Sequence, residues 1–440
     1  MAYLMVPHEA AADQAVVWVG ADEAPATGLV VVTSAGVVAL GAWQVFPHSG
    51  QTRLWFQRVT LVGLEPRAAY HTQLRRDGEV LAESTVRTLP EDIPSPGARP
   101  FTVLLASCFC ARSDQEGSLN VTFLNLPQKP DVKILCGDQV YLDEPWPAYA
   151  FRVLGGDELL GRHFVNYWDT WAQPNGAPGC RSVLVDGANY FVADDHEFWN
   201  NAPNFAPYVL NSWTSHGRQE WWNRAQALYQ SFQAVGTRAT FAVGGLSFML
   251  LDTRRNRSAD RSRVVTDEDL TAVVRWTEQL TGPGVLVVGQ PIFAENAGFW
   301  SGHLVDWGLP DYEQYPAFAR AIAAARHSMV ILTGDVHFGR AARGTLASGA
   351  LLMELISSPA ALAEFSSAWT PAPARFPATS IPGLARVSVS TEPSFRLTAN
   401  HFLTLEFVSA GADVQMTVSA WPVGTGQVPK PIPVCVQYLR

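Results

Sequence analysis

The chain has 440 residues, enough for two or more domains with buried cores. Hydrophobic residues make up 48% of the chain and charged residues 16%, and the formal net charge is −9. Proteins that bind a nucleic-acid backbone usually carry a basic face, and the sequence has no extended cluster of Lys and Arg. The composition therefore indicates a globular protein and argues against a nucleic-acid partner.

The cysteines and the N-terminal residues exclude further classes of protein. Five cysteines, an odd number, are scattered along the chain without a CxxC pair, so the sequence predicts neither a zinc ribbon nor a disulfide framework. The first residues show no basic segment followed by an apolar one and no twin arginine, and no apolar run approaches the about 20 residues of a membrane span. As written, the sequence predicts a soluble, cytoplasmic protein; a periplasmic or secreted protein with its signal trimmed off would look the same.

Residues 1–90 contain short strands separated by turns, the pattern of an all-β sandwich. The predicted strands are Ala15–Val19, Gly28–Val32, Gly36–Leu40, Thr52–Val62, Ala69–Arg75 and Ser84–Thr88. The segment Leu64–Tyr70 resembles the tyrosine corner of fibronectin type III sandwiches, in which the Tyr hydroxyl bonds back to nearby backbone. We expect this domain to pack beside the rest of the chain, after a proline-rich linker at residues 91–100.

Beyond the linker, apolar strands alternate with helices, which predicts an α/β layer sandwich. Thr266 is expected to cap a helix that Gly282 and Pro283 end, and Pro316–His327 predicts a second helix. After about residue 345 the pattern returns to strands, and we expect them to form a second sheet: Leu351–Ile356, Ala385–Ser390, Phe402–Phe407 and Val414–Ala420. The stretch Ser366–Pro382, rich in Pro, Ala and Ser, is predicted to be a loop.

One stretch of this region carries the strongest chemical signal. The apolar run Val132–Leu135 predicts a buried strand, and Gly137 then turns the backbone and presents Asp138 at the C-terminal end of that strand. Ligands of open α/β sheets bind at that end, and Tyr141 follows three residues later. Because carboxylate and phenolate are both anionic oxygen donors, Asp138 and Tyr141 are candidate ligands of a hard, highly charged cation.

Five other apolar runs end in polar residues, most of them types that bind metals. They are Phe101–Ala106, followed by Ser107-Cys108; Tyr190–Ala193, followed by Asp194-Asp195-His196-Glu197; Phe248–Leu251, followed by Asp252-Thr253-Arg254; Val285–Val288, followed by Gly289-Gln290; and Met329–Leu332, followed by Thr333-Gly334-Asp335-Val336-His337. Strands that deliver Asp, His, Cys and Tyr to one edge form the arrangement that a metallohydrolase needs.

An insertion dense in aromatic residues lies between Trp146 and Tyr229. It contains Tyr167, Trp168, Trp171, Trp199, Tyr208, Trp213, Trp221 and Trp222. One interpretation is core and helix packing, since aromatic rings bury well. The other is a cap whose rings line a pocket for the organic leaving group of a substrate.

Five motifs, in this order, are similar to those of the alkaline phosphatase D (PhoD-like) family of the calcineurin-like metallophosphoesterase superfamily. They are Ala106-Ser107-Cys108, Gly137-Asp138-Gln139-Val140-Tyr141, Asp194-Asp195-His196-Glu197 with Asn200-Asn201, Leu251-Asp252-Thr253-Arg254, and Gly334-Asp335-Val336-His337. The resemblance covers the whole chain. It implies a four-layer αββα catalytic domain over residues 101–440, preceded by a small all-β, fibronectin type III-like domain.

The resemblance also implies a centre of two or three metal ions. The implied ligands are Cys108, Asp138, Tyr141 and His337 at the first metal, with Asp138 as a bridge, and Asp195 and Asp335 at the second. A thiolate, a phenolate and a carboxylate place three negative charges on one ion, which favours Fe³⁺ at the first site. Carboxylate oxygens suit Ca²⁺ at the second site, with Mn²⁺, Mg²⁺ and Zn²⁺ as alternatives.

Catalytic roles follow from the same resemblance. The metals would generate hydroxide that attacks phosphorus, and His196 would donate a proton to the departing alkoxide as general acid. Arg254 and Arg257 are candidates to pair with phosphate oxygens, although three arginines in four residues are also typical of a solvated loop. Asn200 and Asn201 are candidate contacts to phosphate or calcium.

Several positions keep two interpretations. Cys110 lies close enough to Cys108 in sequence to be the ligand instead. Gln290 stands where relatives elsewhere in the superfamily carry a ligand His, so we expect it at most to support a ligand. Asp143 and Glu144 are candidates for an extra Ca²⁺ or for contact with water.

The sequence therefore predicts a metal-dependent hydrolase of a small-molecule phosphate ester, with a bulky organic group if the aromatic insertion lines the site. A phosphodiesterase or phospholipase D-like enzyme with the same metals is the first alternative. A metal-binding protein without turnover and a metal-dependent hydrolase of a non-phosphate bond also stay open, because fold and metals do not determine the substrate. The sequence does not predict the oligomeric state.

Overall fold

The computed structural model describes residues 2–46, 54–174, 179–296, 306–362, 372–424 and 430–440. Its strands are, in chain order, β1 (Tyr3–Ala10), β2 (Gln14–Ala21), β3 (Val30–Thr33), β4 (Gly36–Ala39), β5 (Gln44–Val45), β6 (Trp55–Val62), β7 (Ala69–Arg76), β8 (Glu79–Arg87), β9 (Phe101–Ala106), β10 (Val132–Cys136), β11 (Ala188–Val192), β12 (Arg238–Val243), β13 (Leu246–Leu251), β14 (Gly284–Val287), β15 (Met329–Thr333), β16 (Gly339–Thr345), β17 (Leu351–Ile356), β18 (Ser390–Leu397), β19 (His401–Ala410), β20 (Asp413–Pro422) and β21 (Ile432–Leu439). Its α-helices are α1 (Ser118–Leu124), α2 (Pro147–Ala150), α3 (Gly156–Ala172), α4 (Arg181–Leu184), α5 (Ser215–Phe232), α6 (Asp267–Gln279) and α7 (Tyr315–Ala323).

The first eight strands form two antiparallel four-stranded sheets, ordered β1-β2-β6-β5 and β4-β3-β7-β8. Alternate residues along the strands are buried, as in β7, where Tyr70, Thr72 and Leu74 face inward. This confirms the predicted all-β region. The hydroxyl of Tyr70 accepts a hydrogen bond from the backbone N–H of Glu65 at 2.6 Å, so the predicted tyrosine corner is confirmed as well.

The other strands form two larger sheets. A six-stranded sheet has the order β11-β10-β9-β19-β20-β21 and is parallel from β11 to β9. A seven-stranded sheet has the order β12-β13-β14-β15-β17-β16-β18 and is parallel from β13 to β17. Both faces of its central strands are buried, because Val330 and Leu332 of β15 join the core between the sheets while Met329 and Ile331 join the core under the helices.

Helices cover the outer face of each sheet. Val273 of α6 and Phe318 of α7 pack on the seven-stranded sheet, and Trp171 of α3 packs on the six-stranded sheet. Between the sheets, the rings of Phe101 and Phe248 meet edge to face at 6.1 Å. The order of helix, sheet, sheet and helix confirms the predicted four-layer αββα sandwich. Within the described ranges, no helix combines the length and the apolar character needed to cross a membrane.

Two predictions about the C-terminal strands are wrong. The strands after residue 345 divide between both large sheets, since β17 lies parallel beside β15 whereas β19, β20 and β21 extend the other sheet. Ala385–Ser390 is not a strand, because Val387 only bridges Phe376 and β18 begins at Ser390, where β16 is its partner. Part of the predicted loop Ser366–Pro382 lies outside the described residues.

The all-β region packs directly on β11, the edge of the six-stranded sheet. The side-chain amide of Asn189 donates to the carbonyl oxygen of Pro7 at 2.6 Å. The hydroxyl of Tyr190 donates to the carbonyl oxygen of Ala10 at 3.0 Å. These contacts bear out the expected packing of the two regions. The domain boundaries at residues 90 and 100 stay predictions.

Candidate metal centre

The loops that follow the parallel strands meet at one edge of the two sheets. Gly334 lies so close to the ends of β9 and β10 that a Cβ atom there would be 2.4 Å from the Ser107 side chain and 2.5 Å from the carbonyl oxygen of Cys136. Gly137, with φ at +90°, turns the chain after β10 in a conformation that favours glycine. These two glycines allow the strand ends of both sheets to approach one another.

Three groups of potential metal ligands lie at this edge. They are Cys108, Asp138 and His337; Asp138, Asp195 and His196; and Asp194, Asp195 and Asp335, with ligand atoms within 4.8 Å of one another in each group. The ring of Tyr141, the predicted phenol ligand, stacks on that of His196 with centroids 4.0 Å apart. Five of the predicted ligands, Cys108, Asp138, Asp195, Asp335 and His337, thus lie in these groups, and Tyr141 lies beside His196. The groups also contain Asp194 and His196, which were not predicted as ligands.

Four of these residues hold their backbone in the left-handed region, which residues other than glycine rarely adopt. The angle φ is 55° at Cys108, 57° at Asp138, 69° at Asp335 and 55° at His337. Such conformations cost about 1–3 kcal/mol each and cluster at functional sites, where the surrounding structure holds them in place. Here they follow the ends of β9, β10 and β15 and bring the ligand atoms of these four residues to one centre.

Buried polar atoms of the centre lack hydrogen-bond partners among the described residues. They are the hydroxyl of Tyr141, Oδ2 of Asp194 and Oδ1 of Asp195. Buried polar atoms are nearly always paired, and a bound cation would supply the partner that these oxygens lack. The residues present therefore fit the metal centre that the family resemblance implies.

The electrostatics of the centre lead to the same conclusion. Burial, followed by the charge of Asp195, raises the pKa of Asp138 well above its usual range, and burial with Asp194 does the same for Asp335. Burial, followed by the charge of Asp138, raises the pKa of the Cys108 thiol. Anionic groups that repel one another in a buried site ionise together when a cation is bound among them.

Cys108 lies among the ligands, whereas Cys110 does not. The sulfur of Cys108 accepts a hydrogen bond from the hydroxyl of Ser358 at 3.1 Å and lies 3.4 Å from Oδ2 of Asp138. Cys110 belongs to none of the three ligand groups and packs in a small apolar cluster with Leu362 and the ring of Tyr141. Of the two candidate thiols, the geometry supports Cys108.

Glu197, a buried carboxylate that was not predicted, ties two of the loops together. It accepts hydrogen bonds from the backbone N–H groups of Asp138 at 2.9 Å, Gln139 at 2.6 Å and Asp194 at 2.9 Å. Burial raises its pKa to about 7, against the effect of these donors. The spacing of Asp194 and Glu197 is that of a capping box, the sequence signal from which this role could have been found.

Arg254 and Arg257, the predicted phosphate contacts, lie inside the protein with fully buried side chains. Arg254 donates from Nε to Asp194 and from Nη2 to Asp306, both at 2.6 Å, and Arg257 donates from Nη2 to Gln290 at 2.8 Å. The alternative of a solvated loop is therefore wrong, because the guanidinium groups hold carboxylates of the centre. A direct contact with phosphate stays a prediction.

Gln290 connects these arginines to a ligand. Its side-chain amide donates to Oδ2 of Asp335 at 2.9 Å and to Oδ2 of Asp306 at 2.5 Å. This contact agrees with the expectation that Gln290 supports a ligand. Asp306 was not predicted, because its connection to the centre runs through residues distant in sequence.

Asn200 and Asn201 are tied to the centre through their backbones. The N–H of Asn201 donates to Oδ2 of Asp195 at 2.6 Å, and the N–H of Asn200 donates to Oδ2 of Asp143 at 2.9 Å. Asn201 is another residue in the left-handed region, with φ at 66°. The predicted contact of the two side chains with phosphate or calcium stays a prediction.

His196, the predicted general acid, lies beside Asp138 and Asp195 with 13% of its side chain exposed. Its Nδ1 atom is 2.7 Å from Oδ1 of Asp143. Burial by itself lowers the pKa of His196, but Asp143 and then Asp195 raise it well above its ordinary value. Asp143 is buried and bonded to the protein, so of its two predicted alternatives, an extra Ca²⁺ or contact with water, the second is wrong. Among the described residues, neither Asp143 nor Glu144 belongs to a ligand group.

Most of the aromatic insertion is core. The buried rings are those of Tyr167, Trp168, Trp171, Trp199 and Trp221. They belong to the apolar cluster that joins α3 and α5 to the six-stranded sheet, which confirms the packing interpretation for these residues. Trp213, in contrast, is 57% exposed, and Tyr208 and Trp222 are half-buried.

The fold and the site define a class of protein, an αββα sandwich in which potential metal ligands gather at the ends of parallel strands. Among solved structures, the chain is similar to one described as the structure of PhoD, with a TM-score of 0.64 and 16% sequence identity over 99% of this chain and 91% of that chain. The chain therefore has the fold of PhoD. The resemblance seen in the motifs is confirmed at the level of the fold.

The other comparisons add no second fold. Two glycosyl hydrolase family 2 structures from Bacteroides cellulosilyticus match at 9% identity, covering 75% and 96% of this chain and 37% and 67% of theirs. Their TM-scores of 0.20 and 0.21 are too low to support an argument. No family model matches the chain, and no curated protein sequence matches it.

Proposed function

We propose that the protein belongs to the PhoD-like family and hydrolyses phosphate esters at a metal centre. The observation that carries the proposal is the convergence of Cys108, Asp138, Asp195, Asp335 and His337 at one edge of a PhoD-like fold. Four separate strands supply these residues. Unpaired buried carboxylates cost stability, so a bound cation is the physical reason for gathering them.

The donors divide into two sets that suit different ions. We assign Cys108, Asp138, Tyr141 and His337 to the first set and Asp138, Asp195 and Asp335 to the second. In support, Cys108, Asp138 and His337 form one ligand group, and Asp195 lies in one group with Asp138 and in another with Asp335. We propose Fe³⁺ for the first set, since its thiol, phenol and carboxylate together provide three negative charges, and Ca²⁺, Mn²⁺, Mg²⁺ or Zn²⁺ for the carboxylates of the second. When bound, such ions supply a nucleophilic hydroxide and stabilise the oxygens of an in-line displacement at phosphorus.

His196 is the residue that we propose for proton transfer. Its partly exposed ring lies beside Asp138 and Asp195, within reach of an ester bound at the centre. Donation of a proton to the departing oxygen would contribute about 10²–10⁴ in rate.

The aromatic insertion supports a bulky organic group on the substrate. After burial, the charges of Asp143 and Asp195 raise the pKa of Tyr208, so this phenol lies near the centre. The insertion also carries exposed apolar side chains, namely Trp146, Phe151, Val153, Phe205 and Trp213. These exposed side chains favour the second candidate function, a phosphodiesterase or phospholipase D-like hydrolase, because a lipid or another large apolar ester binds against apolar side chains.

A metal inventory of the purified protein, followed by a panel of phosphate esters with those metals supplied, tests the proposal. We expect iron, a second metal and a visible colour from a tyrosinate–Fe³⁺ pair, and rates on monoesters and diesters separate the two candidates. A colourless protein without iron would refute the Fe³⁺ assignment. Bound metals without hydrolysis of any phosphate ester would indicate a metal-binding protein or a hydrolase of another bond.

A further inference from the structure

The two large sheets have four outer edges, and other parts of the protein cover three of them. The all-β region packs on β11, where it binds Asn189 and Tyr190. The edge strands β18 and β21 lie against each other. The fourth edge is β12, which pairs with β13 alone among the described residues. An edge without cover is the place at which a further strand can add to a sheet.

The backbone of β12 directs every second residue away from the protein. The N–H of Asp252 donates to the carbonyl oxygen of Thr237 at 2.8 Å, which fixes how the hydrogen bonds to β13 alternate. Bonds to β13 then come from every second residue, beginning with Ala239. The residues between these direct their N–H and C=O groups outward, where no backbone partner lies within the described ranges. They are Arg238, Thr240 and Ala242.

This edge carries few of the features with which proteins discourage strand addition. The sequence of β12, Arg-Ala-Thr-Phe-Ala-Val, contains neither Lys nor Pro, and its one charge, that of Arg238, is paired with Asp269 and Glu268. A groove of about 1000 Å³ lies towards α6 and a cleft of about 390 Å³ lies towards the all-β region, and Thr240 and Phe241 line both. A second strand can therefore approach β12.

The helix α6 runs alongside β12, and two contacts show how they are aligned. The first residue of β12 binds Glu268, in the first turn of α6, at 2.7 Å. Near the other end of β12, Nε1 of Trp276 donates to the hydroxyl of Ser247 on the neighbouring strand at 2.9 Å. The middle of β12, at Thr240, is therefore level with the middle of α6, near Ala272. A single twofold axis at this level would pass the middle of both elements.

The exposed charges of α6 are complementary under that symmetry. Asp267 and Glu268 lie in the first turn of α6 and Arg275 lies about two turns later, and all three line the groove beside β12. In a second copy related by a twofold axis at Thr240, α6 runs in the opposite direction. Its Arg275 then lies on the side of the two acids, and its acids lie on the side of Arg275. Opposite charges placed in this way orient a contact and strengthen it.

We propose that β12 is a dimer interface, at which β12 of a second copy adds antiparallel about a twofold axis at Thr240. Thr240 then faces Thr240 of the second copy, a favourable cross-strand pair, and Arg238 faces Ala242 in both directions. Each of these three pairs exchanges two backbone hydrogen bonds, so the two seven-stranded sheets become one. None of these residues belongs to a ligand group, and the inference is independent of the proposed function.

Sedimentation velocity over a range of protein concentrations tests the proposal. We expect a monomer of 48.0 kDa on dilution and a dimer at high concentration. Thr240→Pro removes the outward N–H at the axis from both copies and leaves the bonds to β13 intact, so the dissociation constant should rise by at least about 30-fold. Thr240→Lys places two like charges at the axis and should have the same effect if the proline variant does not fold. Thr240→Val keeps the N–H and the β-branched shape and should dimerise as the wild type does.

The charges of α6 provide a second variation. Arg275→Glu places like charges on both sides of the axis and should weaken the dimer by about 10-fold. Adding Glu268→Arg to that variant exchanges the charges and should restore most of the affinity. A double variant that dimerises more weakly than Arg275→Glu would overturn the proposed antiparallel arrangement of the two helices.

Hydrogen exchange shows whether β12 is the contact. The amides of Arg238, Thr240 and Ala242 should exchange slowly in the dimer and rapidly on dilution. A protein that is monomeric at every concentration would overturn the proposal, as would a dimer that persists unchanged in both Thr240→Pro and Thr240→Lys. Slow exchange of these amides in a monomer that carries a co-purified extended peptide would overturn it as well, because the edge would then bind a peptide and not a second copy.

Discussion

The two sides of the candidate metal centre balance their buried negative charge differently. The thiol side consists of Cys108, Asp138, Tyr141 and His337. The charges that act most strongly on Cys108 are those of Asp138 and Asp335, which add to the effect of burial in raising the pKa of its thiol. These groups repel one another, and a bound cation would offset the repulsion.

The arginine side consists of Asp194, Asp306 and Arg254. Arg254 forms ion pairs with both carboxylates inside the protein. Burial raises the pKa of Asp194 to about 7, and the charge of Arg254 opposes that rise. The difference teaches that the thiol side would depend on a bound metal ion to balance its negative charge, whereas the arginine side balances its charge with the guanidinium group of Arg254.

The largest effect that would test this comparison comes from Asp138, the proposed bridge between the metals. Asp138→Asn removes an anionic ligand from both ions, so we expect loss of both metals and a fall in ester hydrolysis of at least about 10³-fold. The metal-free variant should unfold at a higher temperature than the metal-free wild type, because one repelling buried carboxylate is gone. Elemental analysis, kinetics and thermal unfolding measure these outcomes, and a normal metal content would contradict the bridging role.

A substitution on the arginine side should lower the stability of the protein even when no metal is bound. Arg254→Met leaves Asp194 and Asp306 buried without their cation and should lower the free energy of unfolding by about 3–5 kcal/mol. Arg224→Met is the matched control, since Arg224 pairs with Glu220 near the surface and should contribute less than about 1 kcal/mol. Urea unfolding of the metal-free proteins measures both, and a loss in Arg254→Met no larger than the control would remove the distinction between the two sides.

The two neighbouring cysteines sharpen the comparison at the thiol side. Cys108→Ser replaces a thiolate donor by a hydroxyl that stays neutral, so iron should bind about 10- to 100-fold more weakly and the visible absorption should fall. Cys110→Ser should change neither the affinity for iron nor the visible absorption. Iron titration followed by absorption measures the difference, and the reverse result would make Cys110 the ligand.

The effect that is smallest at neutral pH separates the metal centre from the aromatic insertion. Burial lowers the pKa of His163 in α3 to about 3, so this residue is neutral in the fold but binds a proton in the unfolded chain below about pH 6.5. The free energy of unfolding should therefore decrease as the pH falls from about 6.5 towards 3. In His163→Leu, the free energy of unfolding should fall less steeply below pH 6.5, by up to about 1.4 kcal/mol for each pH unit. Above pH 7, its dependence on pH should be the same as in the wild type. Urea unfolding at several pH values checks this, and identical slopes in both proteins would contradict it.

Local patterns explain what could be predicted. Strands buried on both faces are nearly continuous apolar runs, so β9, β10 and β15 were found within one residue of their observed ends, together with the Asp and Cys residues that follow them. The tyrosine corner at Tyr70 was found for the same reason, because its hydrogen bond to Glu65 spans five residues. The site ligands were predicted as strand-end residues, and their chemistry was readable from the residue types.

Long-range pairing explains what could not be predicted. The strand β16 has no strand-like pattern, and it forms because β17 and β18 pair on either side of it and Arg340 is neutralised by buried Glu354. The helices α3 and α5 were noticed for their aromatic residues but not as helices, since the rings interlock with a sheet distant in sequence. Asp306 was not predicted, and Asp143 was predicted only as a candidate for Ca²⁺ or water. The arginines that bond to Asp306, and His196 and Asn200, which bond to Asp143, lie 49–57 residues away.

By itself, the sequence determined the order of the strand-end residues and the donors that they contribute: thiol, phenol, carboxylate and imidazole. The tertiary structure alone decided that these donors meet, that Asp143 faces His196 and that Arg254 is enclosed by Asp194 and Asp306. The donor chemistry depends on the type of a single residue, and the strand pattern depends on that residue's neighbours in sequence. The pairing of charges 52 and 60 residues apart, in contrast, depends on how two sheets stack and which of their loops come together.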